Sequence, residues 1–404
     1  MTSPTDIQHE RARDLVVHEA VGPIISPLQT ACIISMGVIA LLMAGVMPAI
    51  FGALADAGRL TEAHIGRCAT SEGLMMGISA ALSGIFLQTE RLPLKGICAT
   101  VAFAVINIAS IPLDNMALVA VRALAGIPEG IMIWITVGMI ARSEVPERWA
   151  GVFFTALVSG QLALAFLFAI YVIPHFGAAG GFVTLAIAAL LGTVAATHLP
   201  KRYAHLQPGQ SIDGAPPPLG WAALAATLVY SAPAAAVAVY LQPLAHQAGL
   251  SAGVARTTLW LSLAAQVAGG SIATALAGRI HYMTVFTFSA VGLILVWATM
   301  AFHPPAWLFI AANMWGGLVT VLYGPFLVPL TIEADPSRRA AMQSASAQVL
   351  AGALGPLGAS IIVSDENVHG SLWLGGVLII VGLVMFVGVY LASSRNRKQA
   401  NAVS

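Results

Sequence analysis

Three charged residues stand where charge is costly. Glu72, Arg122 and Glu129 each fall in an apolar run long enough to cross a bilayer. A charged side chain there costs about 2.5–3.5 kcal/mol on insertion scales. Glu72 lies eight residues past His64 and Arg122 seven past Asn115, the expected starts of two runs that descend from the same face. At 1.5 Å per residue both sit roughly 10–12 Å deep, so an ion pair between them would lower the cost of each. Such a pair is either a static staple between two helices or a latch that opens when a proton or an anionic ligand competes. Glu129 follows Arg122 by seven residues, two turns deeper on nearly the same face. Desolvation there disfavours a carboxylate, so Glu129 is the expected proton carrier, with Arg122 modulating it or binding an anionic group. Pro128 predicts a kink beside it, and Gly126 and Gly130 permit close helix packing.

The rest of the chain must hold these residues in lipid. It has 404 residues, 58% apolar and 9% charged, against about 25% charged in an ordinary soluble domain. Its 18 basic and 17 acidic side chains cannot cover a water-facing surface, which excludes a soluble enzyme and a disordered chain. The net charge of +1 offers no field for nucleic acid. Twelve spans are predicted, at 29–55, 64–87, 95–112, 115–141, 149–173, 178–199, 219–245, 254–277, 282–302, 306–331, 339–363 and 371–393. They are long, rich in Ala and Leu and without alternation, so the fold class is all-α, a polytopic helical membrane protein. Residues 1–26 hold four acids and two arginines, unlike a signal peptide, and read as a retained tail. Fourteen of the eighteen Lys and Arg fall on the side of the two termini, which predicts that both are cytoplasmic. Cys32, Cys68 and Cys98 read as small packing residues. No His spacing suggests a metal and no Gly-rich loop a nucleotide, so no cofactor is expected.

Residues 200–217 form the longest polar, Pro/Gly-rich stretch and read as a linker. The expected organisation is a tail 1–26, a six-helix bundle 27–199, the linker, a second bundle 218–393 and a tail 394–404. A shift of 190 residues brings the halves into register. Leu60-Thr61 falls on Leu250-Ser251, each hydroxyl placed to cap the following helix. Gly126 falls on Gly316, and Pro146 through Gly151 on Pro336 through Ala341. A duplicated unit with an even number of spans is related to its copy by an axis along the membrane normal.

Twelve spans in two sixes, with Arg122, Gly126 and Gly130 in an R-x-x-x-G-x-x-x-G pattern, resemble the major facilitator superfamily. The loop Glu90-Arg91-Leu92-Pro93-Leu94-Lys95, preceded by Gly84, keeps an acid, an arginine and a final lysine of the family's G-x-x-x-D-R-x-G-R-R motif but lacks its loop glycine and middle arginine. The matching loop Gly278-Arg279-Ile280-His281 keeps less. Val158 through Ala163 lacks the Gly-Pro pattern of many drug–proton antiporters. The resemblance implies a secondary transporter working by alternating access. Helices 1, 4, 7 and 10 would line its cavity, helices 2, 5, 8 and 11 would assist, and helices 3, 6, 9 and 12 would face lipid. It further implies gating by Glu90, Arg91, Arg148 and Arg338.

The second half shows no clear intramembrane carboxylate. Its polar groups Tyr230, Asn313, Trp315, Tyr323 and Gln348, with Gln161 and Arg122 from the first half, are the candidate substrate-binding residues, although each aromatic or amide group taken singly is more readily a packing or interfacial residue than a ligand contact. Glu129 and Glu72 are the candidate proton-coupling residues. The expected function is proton-coupled transport of a small organic molecule by a monomer in a bacterial inner membrane. An efflux antiporter for metabolites or drugs is the alternative within that class. A non-transporting membrane sensor is the alternative outside it. An enzyme would need converging His, Asp or Ser groups on neighbouring spans, which the spacing does not supply.

Overall fold

The computed structural model describes residues 25–203, 215–363 and 368–403, and no sheet occurs among them. Their apolar runs are apolar all round, as suits helices flanked by lipid and by one another. The first half gives α1 (Pro27–Asp56), α2 (Glu62–Phe86), α3 (Leu92–Ser110), α4 (Asn115–Ile140), α5 (Pro146–Leu167) and α6 (Ile173–Thr197). The second gives α7 (Pro218–Ala238), α8 (Ala252–Leu276), α9 (Tyr282–Ala301), α10 (Ala306–Tyr323), α11 (Arg339–Ile362) and α12 (Gly370–Val403). A short helix Leu241–Gln247 follows α7, and a 3₁₀ turn with helix Leu327–Ala334 extends α10. Among the described residues ten runs are long and apolar enough to cross a membrane. One of them, Pro146–Thr197, comprises both α5 and α6; it breaks at Gly177, whose φ of 58° suits glycine. α2, carrying Arg67 and Glu72, falls short of that apolarity but packs within the first bundle. Most of tail 1–26 and the middle of the linker lie outside the described residues. The expected tail 394–404 is instead a continuation of α12 as far as Val403.

Local chemistry sets several helix starts. Ser26 and Gln29 form a reciprocal capping box on α1, and Ser251 accepts from Val254 N–H at the start of α8. Thr61 does not cap α2, contrary to expectation. Its hydroxyl pairs with His64 Nδ1 at 2.6 Å instead.

The packing pattern repeats. In the first half α2 lies along α4 and α3 along α6; in the second α8 lies along α10. Between the halves α2 packs on α11 and α8 on α5. That exchange is the signature of a two-fold axis relating the halves. Each half also keeps its own apolar core, one around Phe51, Phe103 and Phe182, the other around Tyr230, Phe286 and Phe386. Several helix pairs approach backbone to backbone, α2 and α4 among them. A Cβ on Gly126 would stand 2.5 Å from the Glu72 carbonyl oxygen, and one on Gly130 2.5 Å from that of Met76. Only glycine admits backbones this near. In the second half the matching contact, to Ser262, is made by Gly317 and not by Gly316.

The chain leaving α6 closes back on its own bundle. Leu92 N–H donates to Lys201 O, Tyr203 N–H to Thr89 O, and the Tyr203 hydroxyl to Ile135 O at 2.7 Å. Burial raises the Tyr203 phenol above its ordinary value despite the nearby Arg142, which keeps it a donor. The linker is therefore anchored at its start, at the end of the molecule where α1 and α7 begin.

Candidate functional site

The three buried charges converge inside the first bundle. Arg122 on α4 donates through Nε to Glu72 Oε2 on α2 at 2.9 Å, and through Nη2 to Glu72 Oε1. Its Nη1 donates to Asn107 Oδ1 on α3 at 3.1 Å, while Asn107 Nδ2 is spent on Phe103 O. The Phe182 ring on α6 lies 5.8 Å from the guanidinium carbon. Glu129 Oε1 stands 4.0 Å from Arg122 Nη2, and neither Glu129 oxygen has a hydrogen-bond partner. Glu72, Arg122 and Glu129 are 2%, 0% and 1% exposed, so four helices seal this cluster from water. Asn107 and Phe182 complete it. An asparagine within a span, near the end of α3, is the signal that marks the first, and an unremarkable apolar position hides the second.

A separate cavity of about 540 Å³ lies between the bundles. It is lined from α1, α4, α5, α7, α8, α10 and α11, and also from α9. Every described residue that lines it is uncharged. Gln161, Asn313, Tyr323 and Gln348 are among them, joined by Ser262 and Gln266. Arg122, Glu72, Glu129, Tyr230 and Trp315 do not line it. The cavity wall on α4 begins at Ile133, one turn past Glu129, because α2 covers the intervening face at Gly126 and Gly130. Tyr230 is fully buried behind the wall, donating to Phe286 O at 2.7 Å and meeting Tyr323 edge-on at 5.0 Å. Trp315 is 42% exposed on the outer surface against Phe288.

The amides give the wall its polarity. Gln161 Nε2 donates to Leu41 O at 2.8 Å, Asn313 Nδ2 to Phe309 O at 2.8 Å and Gln348 Nε2 to Ser344 O at 3.4 Å. A backbone carbonyl accepts only from the NH₂ end, which fixes each amide's orientation. The three side-chain oxygens are left as acceptors on a largely apolar wall.

The cavity is closed at the linker end. Arg338 donates across the bundles to Ala141 O at 2.7 Å and Ser143 O at 3.2 Å. Gln343 donates to Ala81 O, and Gly278 N–H to Glu147 Oε1. Asp335 holds the Arg338 turn in place by accepting from Ser337 N–H and hydroxyl and from Ala340 N–H. Arg338 itself has φ of 61°. Glu90, Arg91 and Arg148 are exposed at the same end, and only Arg338 of the four gating candidates bridges the bundles through its side chain among the contacts described. Cys32 and Cys68 are buried and Cys98 is exposed.

No family model and no curated protein sequence matches this chain. Solved structures do match its fold. FucP, a fucose:proton symporter of E. coli seen in an outward conformation, aligns with a TM-score of 0.70 and 13% identity, over 90% of this chain and 97% of that one. The proton:xylose symporter XylE, bound to 6-bromo-6-deoxy-D-glucose, aligns at 0.68 and 14% over 89% and 94%. The human organic anion transporter MFSD10 aligns at 0.68 and 14% over 90% and 100%. Together with its membrane-spanning helices, these likenesses give the chain the fold of the major facilitator superfamily, two six-helix bundles about a pseudo-two-fold axis in a multi-pass membrane protein.

Proposed function

We propose that this protein is a secondary transporter of a small, uncharged organic molecule, driven by protons through Glu129. The observation that carries this reading is the separation of two sites: a neutral cavity between the bundles, and a sealed charge cluster one helical turn away on α4. The fold of sugar:proton symporters supports the transporter class. A cavity with acceptor oxygens and no charged lining favours a ligand that brings hydroxyl or amine N–H donors on an apolar frame. It disfavours the organic acid that Arg122 suggested, because Arg122 is committed to Glu72 and Asn107. Gln161, Asn313, Tyr323 and Gln348 are the binding residues of this reading; Tyr230 supports Tyr323 from behind.

Charge counting supports the proton. One guanidinium faces two carboxylates in a dry interior. Glu72 holds the cation bidentately, so an ionised Glu129 would leave a net buried negative charge without a hydrogen bond, an arrangement that costs several kcal/mol. A proton on Glu129 makes the cluster neutral. Glu72 then acts as the pair that fixes Arg122 beside it. Movement of α4 against α2 exposes Glu129 in the other state and releases the proton. In this reading both termini are cytoplasmic, as the Lys and Arg distribution favours, the protein works as a monomer in a bacterial inner membrane, and its domains are the bundles 27–199 and 218–393. Arg338, with Glu90, Arg91 and Arg148 nearby, forms the cytoplasmic gate.

The test begins with a thermal-shift panel of uncharged and anionic metabolites and continues with flux of a stabilising compound in proteoliposomes. The wild type accumulates that compound under an imposed pH gradient. Glu129→Gln exchanges it across the membrane without accumulating it. Stabilisation by anions alone, or undiminished accumulation by Glu129→Gln, contradicts the proposal.

A further inference from the structure

The two halves differ most where the repeat makes them most comparable. The 190-residue shift aligns helix starts closely: Glu62 with Ala252, Leu92 with Tyr282, and Asn115 with Pro305, just before α10. Under it, the members of the charge cluster have named counterparts. Glu72 falls on Ser262 and Asn107 on Trp297; on α10, where Gly317 takes the place of Gly126 against Ser262, Arg122 falls on Asn313 and Glu129 on Thr320. Salt bridge, amide and lone carboxyl are all replaced by smaller or apolar groups, apart from one large ring.

The space this frees is part of the cavity. Leu293, Val296 and Trp297 on α9 line it, although a peripheral helix in this arrangement is expected to face lipid. No described residue of the other peripheral helices, α3, α6 and α12, does so. α9 packs on α10 and α12, and α7 packs on α11 and α12, so the cavity reaches α9 through a gap between α7 and α10. In the first half the corresponding helices are bonded together, Thr136 hydroxyl to Ile33 O at 2.8 Å. Toward the linker end the gap is shut by the edge-on Tyr230–Tyr323 pair. The Trp297 ring is backed by α12, where a Cβ on Gly375 would lie 3.2 Å away. The result is an arm off the chamber, apolar and walled by α9.

From this we infer that the arm is a ligand subsite: it takes an aryl or short hydrocarbon group of the transported molecule while the molecule's donor group meets the acceptor oxygens of Asn313 and Gln348. This deepens the transporter reading above and rests on it. Specificity for the apolar part is set in the second half, at the position where the first half keeps its proton site.

The probe is 4-(trifluoromethyl-diazirinyl)benzyl alcohol, an uncharged aryl molecule with one hydroxyl donor, photolysed with the full-length protein in lipid nanodiscs and mapped by peptide mass spectrometry. Expected adducts fall on Leu293, Val296 or Trp297. Gly316→Leu, whose side chain grows toward Val296 (a Cβ there lies 3.6 Å from Val296 Cγ1), should reduce them at least tenfold and leave adducts elsewhere on the chamber wall. Ala238→Leu, at an exposed lining position, serves if Gly316→Leu does not fold. Adducts on the chamber wall with none on α9 overturn the arm and leave the transporter reading standing. Adducts on α9 undiminished by both variants show entry from the lipid side and overturn it too. No adducts anywhere in the chamber overturn the arm and the choice of an uncharged ligand together.

Discussion

Arg122 is the residue on which the first bundle's interior turns. It has no exposed surface, and its donors satisfy Glu72 and Asn107 while Glu129 waits at 4.0 Å. Removing one member of a buried ion pair leaves an uncompensated charge, at a cost of about 3–5 kcal/mol. Arg122→Ala is therefore expected to lower the thermal unfolding midpoint sharply in detergent. The double change Glu72→Met with Arg122→Met, which removes both charges, is expected to recover most of that loss. A single variant as stable as wild type would contradict the pair's structural role. The pair was legible from sequence because charge is so rare in these spans and because matching depth is simple arithmetic along two helices. Its isolation from the cavity was not legible. Periodicity puts Glu129 on the same stripe as Ile133, but the bare backbones at Gly126 and Gly130 let α2 cover the upper part of that stripe. For the same reason the aromatic candidates divided: depth alone could not say that Tyr323 faces the cavity, Tyr230 lies behind it and Trp315 points outward.

Among the elements, the α2–α4 contact leaves no room for a larger residue. A leucine at Gly126 would drive its Cβ to 2.5 Å from one backbone oxygen and 2.6 Å from Met76 N, and neither atom belongs to a flexible side chain that can yield. Gly126→Leu is expected to prevent folding or abolish monodisperse protein on size exclusion. Gly376→Leu, at a glycine with open space around it, should behave as wild type; equal behaviour of the two would contradict the close approach. At the linker end Arg338 holds the α10–α11 turn against the end of α4. Arg338→Ala is expected to loosen that end, read as at least a threefold faster reaction of a cysteine placed at Ser344 with a membrane-impermeant maleimide. An unchanged rate would remove Arg338 from the gate. Span positions were readable because length and apolarity are set by the bilayer. Details at the ends were less so, since Thr61 found His64 as a partner and α12 ran on through the expected tail.

At the scale of the whole molecule, the two halves share one packing plan but fill their interiors differently. One interior is filled with a salt bridge and a lone carboxyl; the other opens as part of a neutral cavity. If Glu129 is protonated in the state described here, low pH favours this state, closed at the linker end, and rising pH favours the state that has released the proton. Pulsed electron–electron spin distances in nanodiscs test this directly, with one label pair replacing exposed Arg148 and Arg279 at the linker end and another replacing exposed Asp56 and His246 at the opposite end. On raising the pH from about 5 to about 8, the linker-end distance should lengthen as the opposite-end distance shortens, and Glu129→Gln should hold both at their low-pH values. A single distance at each end, unmoved by pH in the wild type, would contradict a proton-driven exchange of access between the two faces.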